Sequence, residues 1–116
     1  MSYVPERGHI LHLKFDSSSD QGENGRFFAL ALSSKDFNRR GLVMVCPISQ
    51  GVAASARTYG TVVTIMGSGT ATQGAIHCHQ LKSLDWMARK ASFKEAVPEY
   101  VLDEVNARVQ AILFDG

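Results

Sequence analysis

The chain has 116 residues, which is a common size for a single domain, and we predict one domain over residues 1–116. A hydrophobic fraction of 45% and a charged fraction of 20% are typical of a folded globular protein rather than a disordered one. The net charge of +1 excludes a strongly basic nucleic-acid binder, although a local basic patch is compatible with it.

The expected location follows from the apolar segments and the cysteines. The sequence has no run of about 18 apolar residues and no basic N-terminal segment followed by an apolar one, so we expect neither membrane insertion nor secretion. Cys46 and Cys78 stand in apolar runs without a C-x-x-C pair, which favours buried thiols in a reducing compartment over a disulfide. We therefore expect a cytoplasmic protein.

Strand patterns dominate the first half of the chain. Residues 9–15 alternate, with Leu11, Leu13 and Phe15 on one side and His12 and Lys14 on the other, which predicts a strand with one core face. The polar, turn-forming residues 16–25 predict a loop long enough to be functional. Residues 26–32 are almost continuously apolar and predict a second, buried strand.

The middle of the chain continues this pattern. Ser33 or Ser34 is the predicted cap of a helical turn over residues 33–38. Residues 42–48 predict a buried strand, with Pro47 marking its end region. A second loop is predicted over residues 49–55. Residues 61–66 are rich in β-branched side chains and predict another strand, followed by a flexible turn over residues 67–70.

A helix is predicted from Pro98 onward, because proline suits the first helical position and Glu99 suits the first turn. Six apolar residues recur at helical spacing and form one stripe: Val101, Leu102, Val105, Val109, Ile112 and Leu113. Five or six short strands closed by one helix predict a mostly β (α+β) domain. The expected architecture is a small, strongly curved antiparallel barrel with short helices and a C-terminal amphipathic helix.

Two histidines mark the most informative segment, residues 74–89, which reads as two short strands and a helical turn. His77 and His79 fall on one face of the first strand, where two imidazoles can serve as acid and base, bind a metal, or do neither. A metal needs further ligands, and His9 and His12 lie on opposite faces of their strand, so both cannot reach one ion. We therefore predict no metal site, and we place Cys78 in the core.

Arg26 and Ser49 stand at strand ends, where a guanidinium and a hydroxyl can bind a phosphate. Composition alone favours an ordinary surface arginine at position 26, and an ordinary turn serine is the alternative at position 49. No G-x-S-x-G elbow, P-loop or dinucleotide-binding pattern is present. Trp86 either lies in the core or joins Phe93 in an aromatic surface for single-stranded nucleic acid. The basic residues near that surface are Lys82, Arg89, Lys90 and Lys94.

Motifs along nearly the whole chain resemble the MazF/PemK family of toxin–antitoxin toxins, including its Kid and ChpB branch. Residues 4–10 with Phe15 and Asp16 resemble the opening "RGDI…FDP" strand of the family, and Gly25 and Arg26 precede an apolar strand as they do there. Residues 47–51 resemble "PITxG", residues 56–60 resemble "ARxxGF", and residues 74–89 resemble "GVVxxDQxRxxDxxAR".

The resemblance implies a small SH3-like barrel that forms a homodimer and cuts single-stranded RNA without a metal or other cofactor, leaving a 2′,3′-cyclic phosphate. A partner antitoxin would block it with an extended acidic C-terminal segment. Arg26 matches the catalytic arginine and Ser49 matches a threonine, while the loop over residues 16–25 would flank the RNA. The implied RNA-binding residues are Asp20, Gln21, Glu23, Gln50, Gln80, Lys82 and Arg89.

The chain also departs from the family pattern. Phe27 replaces a proline, Asp20 and Gln21 replace a histidine–glutamate pair, His79 replaces an aspartate and His77 replaces an arginine of Kid-like members. In one interpretation His79 is the general base, and His77 or Arg26 assists the leaving group. In the other, cleavage is lost and the protein is a binding module or a gyrase poison similar to CcdB. A small metal enzyme using both histidines is a third alternative.

Overall fold

The computed structural model describes residues 3–15, 25–50 and 60–115. Within these ranges the chain forms one seven-stranded antiparallel sheet, two α-helices and a 3₁₀ turn at Cys78–Gln80. The elements are β1 (His9–Lys14), β2 (Arg26–Ala31), α1 (Lys35–Asn38), β3 (Leu42–Ser49), β4 (Val62–Thr64), β5 (Ala75–His77), β6 (Lys82–Asp85), β7 (Ser92–Ala96) and α2 (Glu99–Phe114).

The strand β3 organises the sheet. The strand order is β4–β5–β3–β2–β1–β7, and β6 also pairs with β3. Residues 42–45 of β3 pair with β6, whereas Ile48 and Ser49 pair with β5. The predicted mostly β fold with a C-terminal helix is confirmed, but strand pairing between the described residues does not close the sheet into a barrel.

Apolar side chains cover both faces of the sheet. One cluster contains Ile10 and packs against Val101 and Val105 of α2. The second contains Leu11 and is covered by Trp86, which follows β6. The expectation that β1 has a single core face is therefore wrong, because α2 covers one side of this strand's sheet and the β6 region covers the other.

The predicted C-terminal helix is α2, which begins at Glu99, one residue later than expected, because Pro98 is its N-cap rather than its first helical residue. Val101 and Val105 are buried, and Leu102 and Val109 pack against the first cluster. The predicted stripe is wrong for the last turn, where Ile112 and Leu113 are exposed. The last turn therefore contributes little to the core. No helix among the described residues is both long and apolar enough to cross a membrane.

No predicted element corresponds to the strand β7. Its side chains are mostly polar and exposed, and they lack the alternation of apolar and polar residues that indicates a strand. It pairs with β1 and carries Glu95, whose carboxylate accepts hydrogen bonds from Thr72 Oγ1, the Thr72 N–H and the Ala71 N–H. Burial opposes ionisation of Glu95, but these hydrogen bonds outweigh it and lower the pKa of the carboxyl. Glu95 thereby fastens the turn before β5 to the opposite end of the sheet.

Asn38 ties several segments together at the end of α1. Its side-chain amide donates to the backbone carbonyls of Pro5 (2.8 Å) and Ser33 (3.1 Å). The backbone carbonyl of Asn38 accepts from Trp86 Nε1 (2.8 Å). Ser34 Oγ caps the helix by accepting from the Phe37 N–H, which confirms the predicted cap. Asn38 is fully buried, and its bonds to Pro5 and Trp86 are buried as well, so both are shielded from water.

Replacing Asn38 with alanine should lower the free energy of unfolding by roughly 2–3 kcal/mol, because the Pro5 carbonyl loses its donor inside the protein. Urea unfolding followed by tryptophan fluorescence measures the change. The matched control is Asn106→Ala, since Asn106 is exposed on α2 and its replacement should leave stability nearly unchanged. Equal stability of the two variants would contradict this role for Asn38.

Candidate functional site

A groove of about 500 Å³ opens where the ends of β2 and β3 meet β6. Its lining combines aromatic rings, side-chain amides, a hydroxyl and two cationic side chains, and it includes no aspartate or glutamate among the described residues. The lining residues are Phe15, Phe27, Pro47, Ile48, Ser49, Gln50, Gln80, Lys82, Leu84 and Arg89.

The sheet register explains why these side chains meet. Ala29 of β2 lies opposite Pro47 of β3. Side chains alternate along each strand, so a residue two positions away points to the same face of the sheet. Phe27 in β2 therefore shares the face of Ala29, and Ser49 in β3 shares the face of Pro47. The groove therefore contains a ring from β2 and a hydroxyl from β3 side by side.

Gly74 permits the close approach of β5 to the end of β3. Its φ is +137°, and a Cβ built on it would lie 2.1 Å from the carbonyl oxygen of Ser49. Any other residue would push the Ser49 backbone away, so the glycine fixes where the hydroxyl-bearing residue sits.

The structure brings together most of the groove residues that the family resemblance implied. Ser49, Gln50, Gln80, Lys82 and Arg89 all line it. The predicted RNA-binding residues Asp20, Gln21 and Glu23 lie outside the described part of the chain. Sequence reasoning did not assign Phe15 to the groove, although the alternation of β1 placed it beyond Leu13 on the same side.

Arg26 does not line the groove, although it directly precedes Phe27, which does. It begins β2 opposite Lys14 of β1, so two positive charges stand as neighbours in the sheet. Within the described residues neither side chain has an ion-pair partner. Like charges in such a pair repel each other, and an anion bound beside them would relieve that repulsion.

The histidines lie close together but not as predicted. His77 ends β5, and His79 lies in the 3₁₀ turn, so the expectation of one shared strand is wrong. Their ring centroids are 5.7 Å apart with an interplanar angle of 68°. Neither lines the groove, but His79 directly precedes Gln80, which does.

His77 is a buried imidazole, 7% exposed. Among the residues that the structure describes, neither of its ring nitrogens has a hydrogen-bond partner. Burial is the main cause that lowers its pKa, and the nearby His79 charge adds to the effect. His77 therefore favours the neutral form, whereas His79 is exposed to solvent.

Arg89 holds the wall of the groove in place. Its guanidinium donates to the Phe15 carbonyl and to the Lys14 carbonyl, and its own carbonyl accepts from the Lys14 N–H at 2.9 Å. This predicted RNA-binding residue thus anchors the end of β1, which limits how far its charge can move toward a ligand.

The structure places two other features, Trp86 and the two cysteines, in the core. Trp86 is buried, so it does not form the aromatic surface with Phe93 that the sequence allowed. Cys46 and Cys78 are buried free thiols, and burial raises the pKa of Cys46 to about 12 and that of Cys78 to about 11. Among the residues that the structure describes, no group of three or more His, Cys, Asp or Glu side chains could hold a metal ion.

Comparison with known proteins decides the family. The sequence model of one protein family, described as PemK-like, MazF-like toxin of type II toxin–antitoxin system, matches residues 6–113. The chain belongs to this family. It is 34% identical to the endoribonuclease PemK of Escherichia coli over 93% of this chain and 81% of that protein. It is 32% identical to the endoribonuclease toxin ChpB of E. coli K12 over 93% of each chain.

Solved structures show the same relationship for this PemK/MazF family member. The MazE–MazF structure (Form-II) from Deinococcus radiodurans is 30% identical, with a TM-score of 0.82 over 97% of this chain and 98% of the other. The MazF structure (Form-I) from the same organism has a TM-score of 0.80 at 30% identity, over 97% and 98% of the two chains. The fold, including its C-terminal helix, is therefore shared along almost the full chain.

Replacing His77 with leucine should make stability less dependent on pH. The folded-state pKa of His77 lies below its ordinary value of 6.5, so between the two values the unfolded chain binds more protons. Wild-type stability therefore falls as the pH drops below about 6.5. His77→Leu should remove this part of the loss and, by removing an unsatisfied polar ring, add roughly 1 kcal/mol at pH 7.5.

Urea unfolding at pH 7.5 and pH 5.5 measures both effects. His79→Gln is the control, and it should keep most of the pH dependence because burial, rather than the neighbouring charge, is the main cause. An identical loss of stability at pH 5.5 in the wild type and in His77→Leu would contradict the assignment.

Proposed function

We propose that this protein is the endoribonuclease toxin of a type II toxin–antitoxin system and cleaves single-stranded RNA without a metal. The chain belongs to the PemK/MazF family, and the relatives PemK and ChpB are named endoribonucleases. The observation that carries the proposal is the groove, in which Ser49, Gln80 and Lys82 converge close to the start of β2, where Arg26 pairs with Lys14.

The proposed reaction needs only groups that this chain supplies. The ribose 2′-oxygen attacks phosphorus and loses its proton to a base, the bond from phosphorus to the 5′-oxygen breaks, and that oxygen takes up a proton. The products are a 2′,3′-cyclic phosphate and a 5′-hydroxyl. Charge increases on the phosphate oxygens during this step, so donors that are in place beforehand lower the barrier.

Ser49 and Arg26 are the proposed phosphate-binding groups. The Ser49 hydroxyl lies in the groove and can donate to a phosphate oxygen. Arg26 begins β2 directly before Phe27, close to the end of the groove. Its long side chain would have to reach around the strand end, where its guanidinium can donate two parallel hydrogen bonds to a phosphate.

His79 is the proposed general base. It is exposed and adjacent to Gln80, so a substrate in the groove would pass next to its imidazole. His77 is buried and its ring lies against His79, so we assign it to positioning that ring rather than to proton transfer.

The remaining properties follow from family membership. We propose a single-domain, cytoplasmic homodimer that a cognate antitoxin inhibits through an extended acidic segment. Structures of MazE–MazF complexes are known for the Deinococcus relative. The cations beside the groove would attract such a segment for the same reason that they attract RNA.

The second candidate is a binding protein of the same fold that has lost cleavage, or a gyrase poison similar to CcdB. It is favoured by the placement of Arg26, His77 and His79 outside the lining of the groove. Cleavage assays separate the two candidates, because a gyrase poison needs neither Arg26 nor Ser49.

Purified protein incubated with long single-stranded RNA in excess chelator should yield fragments that end in a 2′,3′-cyclic phosphate. Arg26→Ala should lower the cleavage rate by about 100-fold or more, and Ser49→Ala by about tenfold, because each removes a donor to the charged phosphate. Arg40→Ala is the matched control, since Arg40 is an exposed arginine beyond α1. Absence of cleavage by the wild type, or equal rates for wild type and Arg26→Ala, would overturn the proposal.

His79→Gln should lower kcat/KM and flatten the acidic side of its pH profile, because a general base acts only when it is unprotonated. Cleavage of one fluorescent RNA across pH 5–9 measures this, with His12→Gln as the control histidine. A profile of unchanged shape in His79→Gln would assign the base to another group.

A further inference from the structure

We propose that the stacked rings of Phe15 and Phe27 form a platform for one unpaired nucleobase beside the scissile phosphate. This inference rests on the proposed function and assigns a substrate contact that the family membership does not. The ring centroids are 5.2 Å apart and the ring planes differ by 23°, which is an offset-stacked pair. Both rings line the same groove as Ser49.

The platform presents a free aromatic surface. Phe15 is 56% exposed, although its ring is already stacked on one side. A large exposed apolar ring in a groove lined by hydrogen-bonding groups is typical of a ligand contact rather than of core packing. A third ring stacked here would extend the arrangement that the two phenylalanines begin.

The backbone of Phe15 and the ring of Phe27 are both held in position. The Phe15 N–H donates to the Gly25 carbonyl at 2.8 Å, and the Phe15 carbonyl accepts from Arg89. Phe27 lies within β2 opposite Leu13 and packs against the second apolar cluster. Little side-chain freedom would therefore be lost when a base stacks, and this preorganisation favours binding.

The neighbouring groups fit a nucleotide. Lys82 Nζ lies 6.0 Å from the centre of the Phe27 ring, where it can bind the phosphate that flanks a stacked base. The amides of Gln50 and Gln80 line the same groove and can donate to and accept from a base edge. A duplex hides its base faces, so a platform of this kind selects a single strand.

The ligand for the test is defined by the enzyme itself. The cleaved position is first mapped on a long transcript, and a fluorescent oligonucleotide covering it is made with a 2′-deoxy sugar at the cleaved nucleotide. Without that 2′-OH the oligonucleotide cannot be cut, so anisotropy reports binding alone.

Phe27→Leu should weaken binding by about tenfold, because a leucine fills the site but offers no aromatic face. Phe27→Tyr should bind like the wild type, since it keeps the ring. Phe114→Leu is the matched control, because this exposed phenylalanine lies at the end of α2. Wild-type affinity of Phe27→Leu would overturn the platform even if the enzyme cleaves RNA.

Two further measurements separate stacking from structural damage. Phe27→Leu should keep the salt dependence of binding, whereas Lys82→Gln should reduce the slope of log K against log salt by about 0.7, the value for one phosphate on a single strand. A series of oligonucleotides, each lacking the base at one position, locates the stacked base. Loss of the base at one particular position should abolish the difference in affinity between wild type and Phe27→Leu.

An equal effect of Phe27→Leu at every abasic position would overturn the proposal, since a disturbed fold has no preferred base. A different result is that Phe27→Leu leaves the affinity for RNA unchanged and weakens the affinity for an inhibitory protein segment. That result would overturn the platform and assign the two rings to a protein partner. If the wild type cleaves no RNA, the proposed function fails and the platform fails with it.

Discussion

The structure depends on how β3 is paired. One edge of this strand lies against β2, while the other edge changes neighbour, from β6 at Val45 to β5 at Ile48. In between, Cys46 and Pro47 have no strand partner on that edge, which is where a proline, lacking an N–H, fits in a central strand. The 3₁₀ turn at Cys78–Gln80 connects β5 to β6, the two strands that share this edge of β3. The groove opens at the point where β6 gives way to β5.

This arrangement also separates the two tasks of the domain. Stability comes from apolar clusters on both faces of the sheet and from Asn38, which bonds two distant segments, at Pro5 and at Trp86. The proposed ligand contacts lie at the strand ends, where most side chains are half-buried or exposed. The overall charge of +1 conceals a local excess of positive charge at the groove, which includes Lys82 and Arg89 and no acidic residue among its described lining.

Local signals predicted local structure well. The cap at Ser34, the start of α2 after Pro98 and the apolar strands β2 and β3 each follow from a few neighbouring residues. Features set by distant contacts were not predictable in this way: β7 depends on pairing with β1, and β1 is buried on both faces. The family resemblance named Ser49, Gln80 and Lys82, and the structure brings them together in one groove. The pairing of Phe15 with Phe27 is a property of the fold rather than of either residue's neighbours in the sequence.

Gly74 shows how little chemistry is needed to set a reactive site. The missing methyl group at this position leaves room for the carbonyl oxygen of Ser49, and a Cβ would overlap it at 2.1 Å. A single steric substitution could therefore tune the potency of this protein while every polar and charged group stays in the sequence. A graded series at position 74 would provide weakened forms suited to producing a growth-arresting protein in a living host.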